Sequence, residues 1–448
     1  MSTHATTSPS GCGSRRLRIA VVPFGCKVSR IEAQALAAAV SLPERPVPED
    51  ADVVVLHGCA VTDRAERDQR RFLRRIRREN ARAMLVVTGC LGERDPEALA
   101  RLPEVDLVVG TSRLPELTRL LEERDAGLLP GKVVPAAAGG SSDVFAATFP
   151  DAERTRAFLK IQDGCERRCA FCIVPSLRGA ERSADASLVE REIRRLGEAG
   201  VAEVVLAGVH LANFGKERGT DLLGLLSALE SDSPGCRLRL SSLEPMEAGE
   251  ALVDFVATSR TVVPHLHLPL QSGAGAVLRR MRRGITPERF RRLALRAAGA
   301  NSRLHLATDL IAGFPGETDA EFEETVRLVE ELPFASLHVF PFSPRRGTRG
   351  AELHASHPVP AATVTRRATR LRHLGEEKAR GFRRAASGSV ADAVVLRGGL
   401  ALTDHYLEAT LPAPLPAGTR LVVRLSAAGP SAVLTAVPAV EAGSIPPP

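Results

Sequence analysis

Short apolar runs alternate with amphipathic stretches over the first quarter of the chain. LRIAVV (17–22), DVVVL (52–56), AMLVV (83–87) and VDLVVG (105–110) are runs of strand type. Between and after them, residues 29–42, the heavily charged segment 63–80, PEALARL and LPELTRLLEER carry apolar residues at helical spacing. Strands separated by helices in this rhythm predict an open α/β domain of parallel βα units with right-handed crossovers.

Residues 126–150 break the pattern with the turn and linker composition of a domain boundary. A longer β/α region follows from about 156 to about 353, with strand candidates FLKIQ, EVVLAGV, RLRLSSL, HLHLPL, RLHLATDLIAG and SLHVFPF. About six βα units suit a barrel or partial barrel. Residues 358–386 predict an Arg-rich helix. VADAVVLRGG, ALTDHYLEATL, TRLVVRLSA and AVLTAV then predict a small β-barrel over 387–438. Residues 1–16 and 439–448 read as disordered tails, and no solenoid-period repeat is present.

The length of 448 residues gives room for two to four domains. With 44% hydrophobic and 25% charged residues, a wholly disordered chain is excluded. No run approaches the ~20 apolar residues of a membrane span, and the N-terminus lacks the apolar core of a secretory signal, so a cytoplasmic protein is expected. In a reducing cytoplasm eight cysteines point to metal or catalytic chemistry before disulfides.

The strongest motif is DGCERRCAFC, which places Cys165, Cys169 and Cys172 directly after the first strand of the β/α region. Three thiolates at this spacing can hold three irons of a [4Fe–4S] cluster, leaving the fourth iron to a non-protein ligand. A zinc site completed by a remote ligand is the alternative. The second group comes from the strand reading: Cys26, Cys59 and Cys90 each follow a glycine just beyond a predicted parallel strand. Strand ends of an open parallel sheet face one crevice, so the three thiols converge there. They are either a second metal-ligand set or three buried core thiols. Cys12 and Cys236 have no partner cysteines and read as non-functional.

The chain resembles the radical S-adenosylmethionine (SAM) methylthiotransferases over nearly its whole length. The resemblance rests on GCKVSRIEAQ, CAVTDRAERDQRR, VTGCLGERDPE, DGCERRCAFCIVPSLRGAERS, LAGVHLANFG, RLSSLEP, HLHLPLQSGAGAVLRRMRRGIT, TDLIAGFPGETDAEFEET and HVFPFSPRRGT. It implies a methylthiotransferase domain over 17–135, a radical-SAM partial barrel over 151–385 and a TRAM-like RNA-binding barrel over 387–438, with TDHYLEATL as that barrel's central strand. It also implies two [4Fe–4S] clusters. One, on Cys165, Cys169 and Cys172, would bind SAM and support its reductive cleavage to a 5′-deoxyadenosyl radical. The other, on Cys26, Cys59 and Cys90, would present the sulfur. The reaction the resemblance implies inserts and methylates sulfur at carbon 2 of an adenine, which has no acidic proton and no leaving group, so cofactor radical chemistry is required.

The resemblance places SAM contacts at Phe171, between the last two cysteines, and at Gly208, Ser242, Glu244, Gln271 and Gly313, at or beyond predicted strand ends of the barrel. No catalytic histidine is expected; His265, His267, His305 and His338 read as satisfied core histidines. GCKV with CAVTDRAERDQR looks most like the branch acting on N6-threonylcarbamoyladenosine of tRNA, although Ser29 and His57 stand where the family usually has Asn. Alternatives are a methylthiotransferase for isopentenyladenosine or a ribosomal protein, and a non-catalytic iron–sulfur RNA-binding protein. A tRNA substrate, an electron donor such as flavodoxin or ferredoxin, and a monomer are expected.

Lys and Arg number 60 against 53 acids, and only five of the 60 are lysine. Arg67, Arg71, Arg74 and Arg78 fall on one face of the 63–80 helix, opposite Phe72, Leu73 and Ile76, and offer a phosphate-binding surface. Arg279, Arg280, Arg282 and Arg283 form a second basic run, and Arg366 to Arg384 a third. With 4% aromatic residues, base-stacking platforms are not expected.

Overall fold

A computed structural model describes residues 17–40, 46–129, 131–135, 145, 155–428 and 433–438. The two tails, Cys12 and most of the 136–154 boundary lie outside the described residues.

The first sheet is parallel, in the order β1 (Ile19–Pro23), β2 (Val53–Gly58), β3 (Met84–Thr88), β4 (Leu107–Val109) and β5 (Val133–Val134). Every residue of β2 is buried because both faces are covered. Val54 and Leu56 pack with Leu73, Ile76 and Leu85 on one side. Val53 and Val55 pack with Leu36, Val109 and Leu120 on the other. That double cover is why the run reads as unbroken apolar sequence; each such side chain contributes about 1.5–3 kcal/mol. β5 falls inside the turn-rich segment, and at two residues it is too short to carry a periodic signal. Helix α1 (Lys27–Ala39) starts directly after Cys26, two residues before its apolar spacing begins. Helix α2 (Asp63–Glu79) follows β2, capped by the Thr62 side chain, with Asp63 and Glu66 in its first turn. Helix α3 (Gly89–Arg94) follows β3.

The central barrel is two sheets. One has the order β7 (Arg182–Ser183), β6 (Ala157–Asp163), β8 (Glu203–Gly208), β9 (Arg237–Leu240); the other has β10 (His265–His267), β11 (His305–Ala312), β12 (Ser336–Pro341). A bridge between Leu238 and Val262 links the two. All pairs are parallel except β6 with the short β7. β6 alternates across its faces: Ala157, Leu159 and Ile161 enter the main core. Phe158 faces the lumen and packs with Val205, Ala207 and Ile31 of α1. α1 therefore sits against the barrel strands and carries the first sheet's ligand loop into the mouth of the barrel.

The 358–386 segment forms a single long helix, Ala361–Ala386, after a short helix, Arg349–Ser356. The C-terminal strands β13 (Val390–Val395), β14 (Leu400–Thr403), β15 (Glu408–Thr410), β16 (Arg420–Ala428) and β17 (Val433–Pro438) close a barrel in the order β13-β14-β15-β17-β16. The expected single strand through TDHYLEATL is instead two antiparallel strands. The chain reverses between them at Asp404–Tyr406, where Tyr406 takes a left-handed φ of 60°. Arg237 and Arg239 seat this barrel under the central one. Both are ion-paired to buried Glu203 and donate to the carbonyls of Asp392, Leu402, Thr403 and Asp404. Among the described residues no helix is long and apolar enough to cross a membrane.

Candidate metal and cofactor site

Cys26 is the N-cap of α1, Cys59 follows β2, and Cys90 lies in the first turn of α3. Neighbouring parallel strands thus deliver three thiols to one end of the sheet. Gly25 takes φ +99°, and a Cβ there would collide with Cys59 and lie 2.7 Å from its Sγ, so only glycine lets the Cys26 loop close over Cys59. Burial pushes the Cys59 thiol up to about 11, with the charges of Cys26 and Cys90 adding to the rise. Burial also raises Cys90. Gln69 of α2 pins the middle ligand: Cys59 N donates to its Oε1 and its Nε2 donates to Cys59 O, both at 2.8 Å. Gln69 is buried on the helix's apolar stripe, so hydropathy patterning passes over it.

Cys165, Cys169 and Cys172 follow β6 in one loop. Gly164, at φ +73°, opens it, because a Cβ there would strike the Ala180 carbonyl. Burial lifts Cys172 to about 12, reinforced by Cys169 and Cys165. Cys169 Sγ receives Arg283 at 3.8 Å, and Cys165 Sγ is 3.9 Å from His210 Nδ1. Burial alone would lower His210, but hydrogen bonds with Cys165, Glu247 and Glu181 raise it to about 10. Each triad is therefore a gathered set of thiols that a multivalent metal centre would convert to thiolates. The donor chemistry fits iron–sulfur ligation at both.

Between the triads runs a buried ion network. Glu32 of α1 meets Lys160 of β6 at 2.5 Å and Arg178 at 2.7 and 2.9 Å. Asp163 meets Lys160 at 3.0 Å, Arg178 at 2.9 Å and Arg182 at 3.2 Å. Burial pushes Glu32 up, but Arg178 and Lys160 outweigh it and hold its carboxyl well below the usual range. The two unusual positions touch each other: Ser29 Oγ donates to Phe24 O and lies 2.9 Å from His57 Nδ1. Burial drives His57 down to about 4, so it is neutral, and its Nε2 faces Glu32 at 3.5 Å.

Of the residues expected near SAM, Phe171 lies in the cysteine loop and the others follow or end strands of the central barrel. Phe171 packs with Ala274, Val277, Met281 and Phe314. Gly208 ends β8, where a Cβ would press on Gln162 at 2.9 Å. Ser242 lies 2.8 Å from His267 Nδ1. Glu244 pairs with Arg283 at 2.6 Å. Gln271 adopts a left-handed φ of 78°. Gly313 lies against Val364, and its N–H donates to Glu317 at 2.9 Å.

Some expectations fail. Arg283 is buried and holds Glu244 and the Pro269 carbonyl, and Arg280 is paired to Glu321, so only Arg279 and Arg282 of the second basic run are exposed. Arg367 in the third run is likewise buried on Glu317. By contrast Arg67, Arg71, Arg74 and Arg78 are exposed on α2. His265 and His305 are buried with Nδ1 unpartnered, held by ring contacts with each other and with Tyr406 rather than by hydrogen bonds. His338 is exposed. Arg178, Arg283 and Arg345, the last buried and paired with Asp63 and Glu66 of α2, carry no mark of burial in the sequence.

A partial β/α barrel with a three-cysteine loop after its first strand defines a radical SAM protein. Residues 159–329 match the Radical SAM superfamily, and residues 18–110 match Uncharacterized protein family UPF0004. The chain is 37% identical over 344 residues to threonylcarbamoyladenosine tRNA methylthiotransferase MtaB of Bacillus subtilis, covering 75% of each chain. It is 32% identical to the Aquifex aeolicus protein of that name, covering 80% of this chain and 87% of the relative. It is also 35% identical to tRNA-2-methylthio-N(6)-dimethylallyladenosine synthase of Parafrankia sp., covering 84% and 77%. The fold is shared with the radical S-adenosylmethionine methyltransferase TsrM of Kitasatospora setae, at TM-score 0.54 and 15% identity over 76% of each chain. The chain belongs to the radical SAM methylthiotransferase family, in the MtaB branch. Membership implies SAM and a [4Fe–4S] cluster.

Proposed function

We propose that the chain adds a methylthio group to carbon 2 of N6-threonylcarbamoyladenosine next to the anticodon of tRNA, using a [4Fe–4S] cluster on each cysteine triad. The observation that carries this reading is the delivery of Cys26 on α1 into the mouth of the barrel that bears the Cys165–Cys172 loop. SAM bound at the barrel cluster would supply the radical that takes the carbon 2 hydrogen. The chain's own residues bind and orient. Cys165, Cys169 and Cys172 hold the barrel cluster, and Cys26, Cys59 and Cys90 the second one. Arg283 and Arg178 set positive charge beside Cys169 and Cys90. Phe171, Gly208, Ser242, Glu244, Gln271 and Gly313 form the SAM side of the lumen, where backbone approach and the Glu244–Arg283 pair fix the walls.

The exposed arginines of α2 and the C-terminal barrel meet the tRNA. The protein works as a cytoplasmic monomer, with an electron donor such as flavodoxin or ferredoxin. The Parafrankia relative supports a second reading, dimethylallyladenosine as the modified base. Nucleoside mass spectrometry of tRNA from a deletion strain separates them. Loss of 2-methylthio-N6-threonylcarbamoyladenosine supports the first reading, and loss of the methylthio-dimethylallyl nucleoside alone overturns it.

A further inference from the structure

Three side chains inside the central barrel form a cluster that the cysteine chemistry does not use. His267 ends β10, Asp309 lies in β11 and His338 in β12, three adjacent parallel strands. Asp309 is in register with His338, and His267 with Ala307, two residues before Asp309, so all three project from one face. His267 Nε2 lies 2.8 Å and His338 Nδ1 3.1 Å from the same oxygen, Asp309 Oδ1. The three ligand atoms lie within 4.8 Å of one another.

We propose that His267, Asp309 and His338 form a binding site for a divalent first-row transition metal, separate from both cysteine triads. Two imidazoles and one carboxylate are the donor set that suits Fe²⁺, Mn²⁺ or Co²⁺ and leaves coordination positions open. The outer layer is also built. Ser242 Oγ stands 2.8 Å from His267 Nδ1, on the nitrogen facing away from Asp309. A hydroxyl can donate to that nitrogen when Nε2 carries the proton. When the metal takes Nε2, the proton resides on Nδ1 and the hydroxyl accepts it. A purely structural role accounts for His267, which is buried, but not for His338, whose side chain is 53% exposed and has no burial cost to offset. A metal accounts for both, and for the single oxygen that the two rings share.

The test uses the protein with its clusters reconstituted anaerobically and Co²⁺ as the probe. After desalting, elemental analysis reads cobalt and iron per chain, and visible absorbance reads the cobalt d–d bands. The expected result is about one cobalt per chain at unchanged iron, lost in Asp309→Asn and His338→Ala and bound about 10–100-fold more weakly in Ser242→Ala. His338→Ala alters an exposed residue, and unchanged iron content shows that the fold is kept. Cobalt well below one per chain in the unaltered protein, or cobalt retained by His338→Ala with the same spectrum, overturns the proposal.

Discussion

Replacing Glu32 with Gln probes how α1 is held in the barrel. Glu32 faces two cations, Lys160 and Arg178, whose side chains are 2% and 8% exposed. Without its charge, Asp163 remains the one carboxylate against Lys160, Arg178 and Arg182. Removing one partner of a buried pair costs about 3–5 kcal/mol, mostly from the charge left uncompensated. At the lower figure of about 3 kcal/mol, the open population rises roughly a hundredfold. Native-state hydrogen exchange reads this locally. Amides of 27–39 are expected to exchange about a hundredfold faster in Glu32→Gln, while those of β2 and β3 keep their rates. Joint replacement of Glu32 by Leu and Lys160 by Met restores part of the protection, because apolar packing can substitute for a buried pair. An exposed pair gives the scale: Arg194→Ala, on the surface pair with Asp232, costs about 0–1 kcal/mol. Exchange in Glu32→Gln no faster than in Arg194→Ala would refute the view that this network holds α1.

Three further outcomes are expected. Gly25→Ala places a Cβ into Cys59 at a left-handed φ, so the reconstituted protein should lose about half its iron, measured as iron and acid-labile sulfide per chain. Burial drives His305 down to about 3. Its folded value is therefore below its unfolded one near 6.5, and its contribution is complete above about pH 6.5 and falls by up to about 1.4 kcal/mol per unit toward pH 3; thermal unfolding between pH 7 and 5 should show this slope, flattened in His305→Phe. Arg74→Ala with Arg78→Ala, both exposed, should weaken tRNA binding and lower the salt slope of log K by about one to two, read by filter binding from 50 to 200 mM salt.

Much of this was legible because period and spacing survive in a single sequence. The buried strand β2 stands out through its unbroken apolar run VVVL, and the glycine before Cys26, Cys59 and Cys90 marks a strand end each time. What patterning misses is the polar interior. Glu32, Lys160, Asp163 and Arg178 are scattered over 147 positions from 32 to 178 and meet only because α1 enters the barrel. Arg283 sits in a run that composition alone assigns to the surface, yet it is buried. TDHYLEATL reads as one strand because its apolar residues alternate; the left-handed Tyr406 that splits it has no residue-type signature. His267 and His338 are 71 positions apart and join only through the register of β10, β11 and β12.

The proposed chemistry needs two metal centres held by separate cysteine triads. Iron and sulfide analysis of the anaerobically reconstituted protein tests it directly, comparing the unaltered chain with Cys59→Ala plus Cys90→Ala. Two [4Fe–4S] clusters predict about eight irons, falling to about four in the double variant with 5′-deoxyadenosine formation from SAM retained. About four irons in both proteins would contradict it.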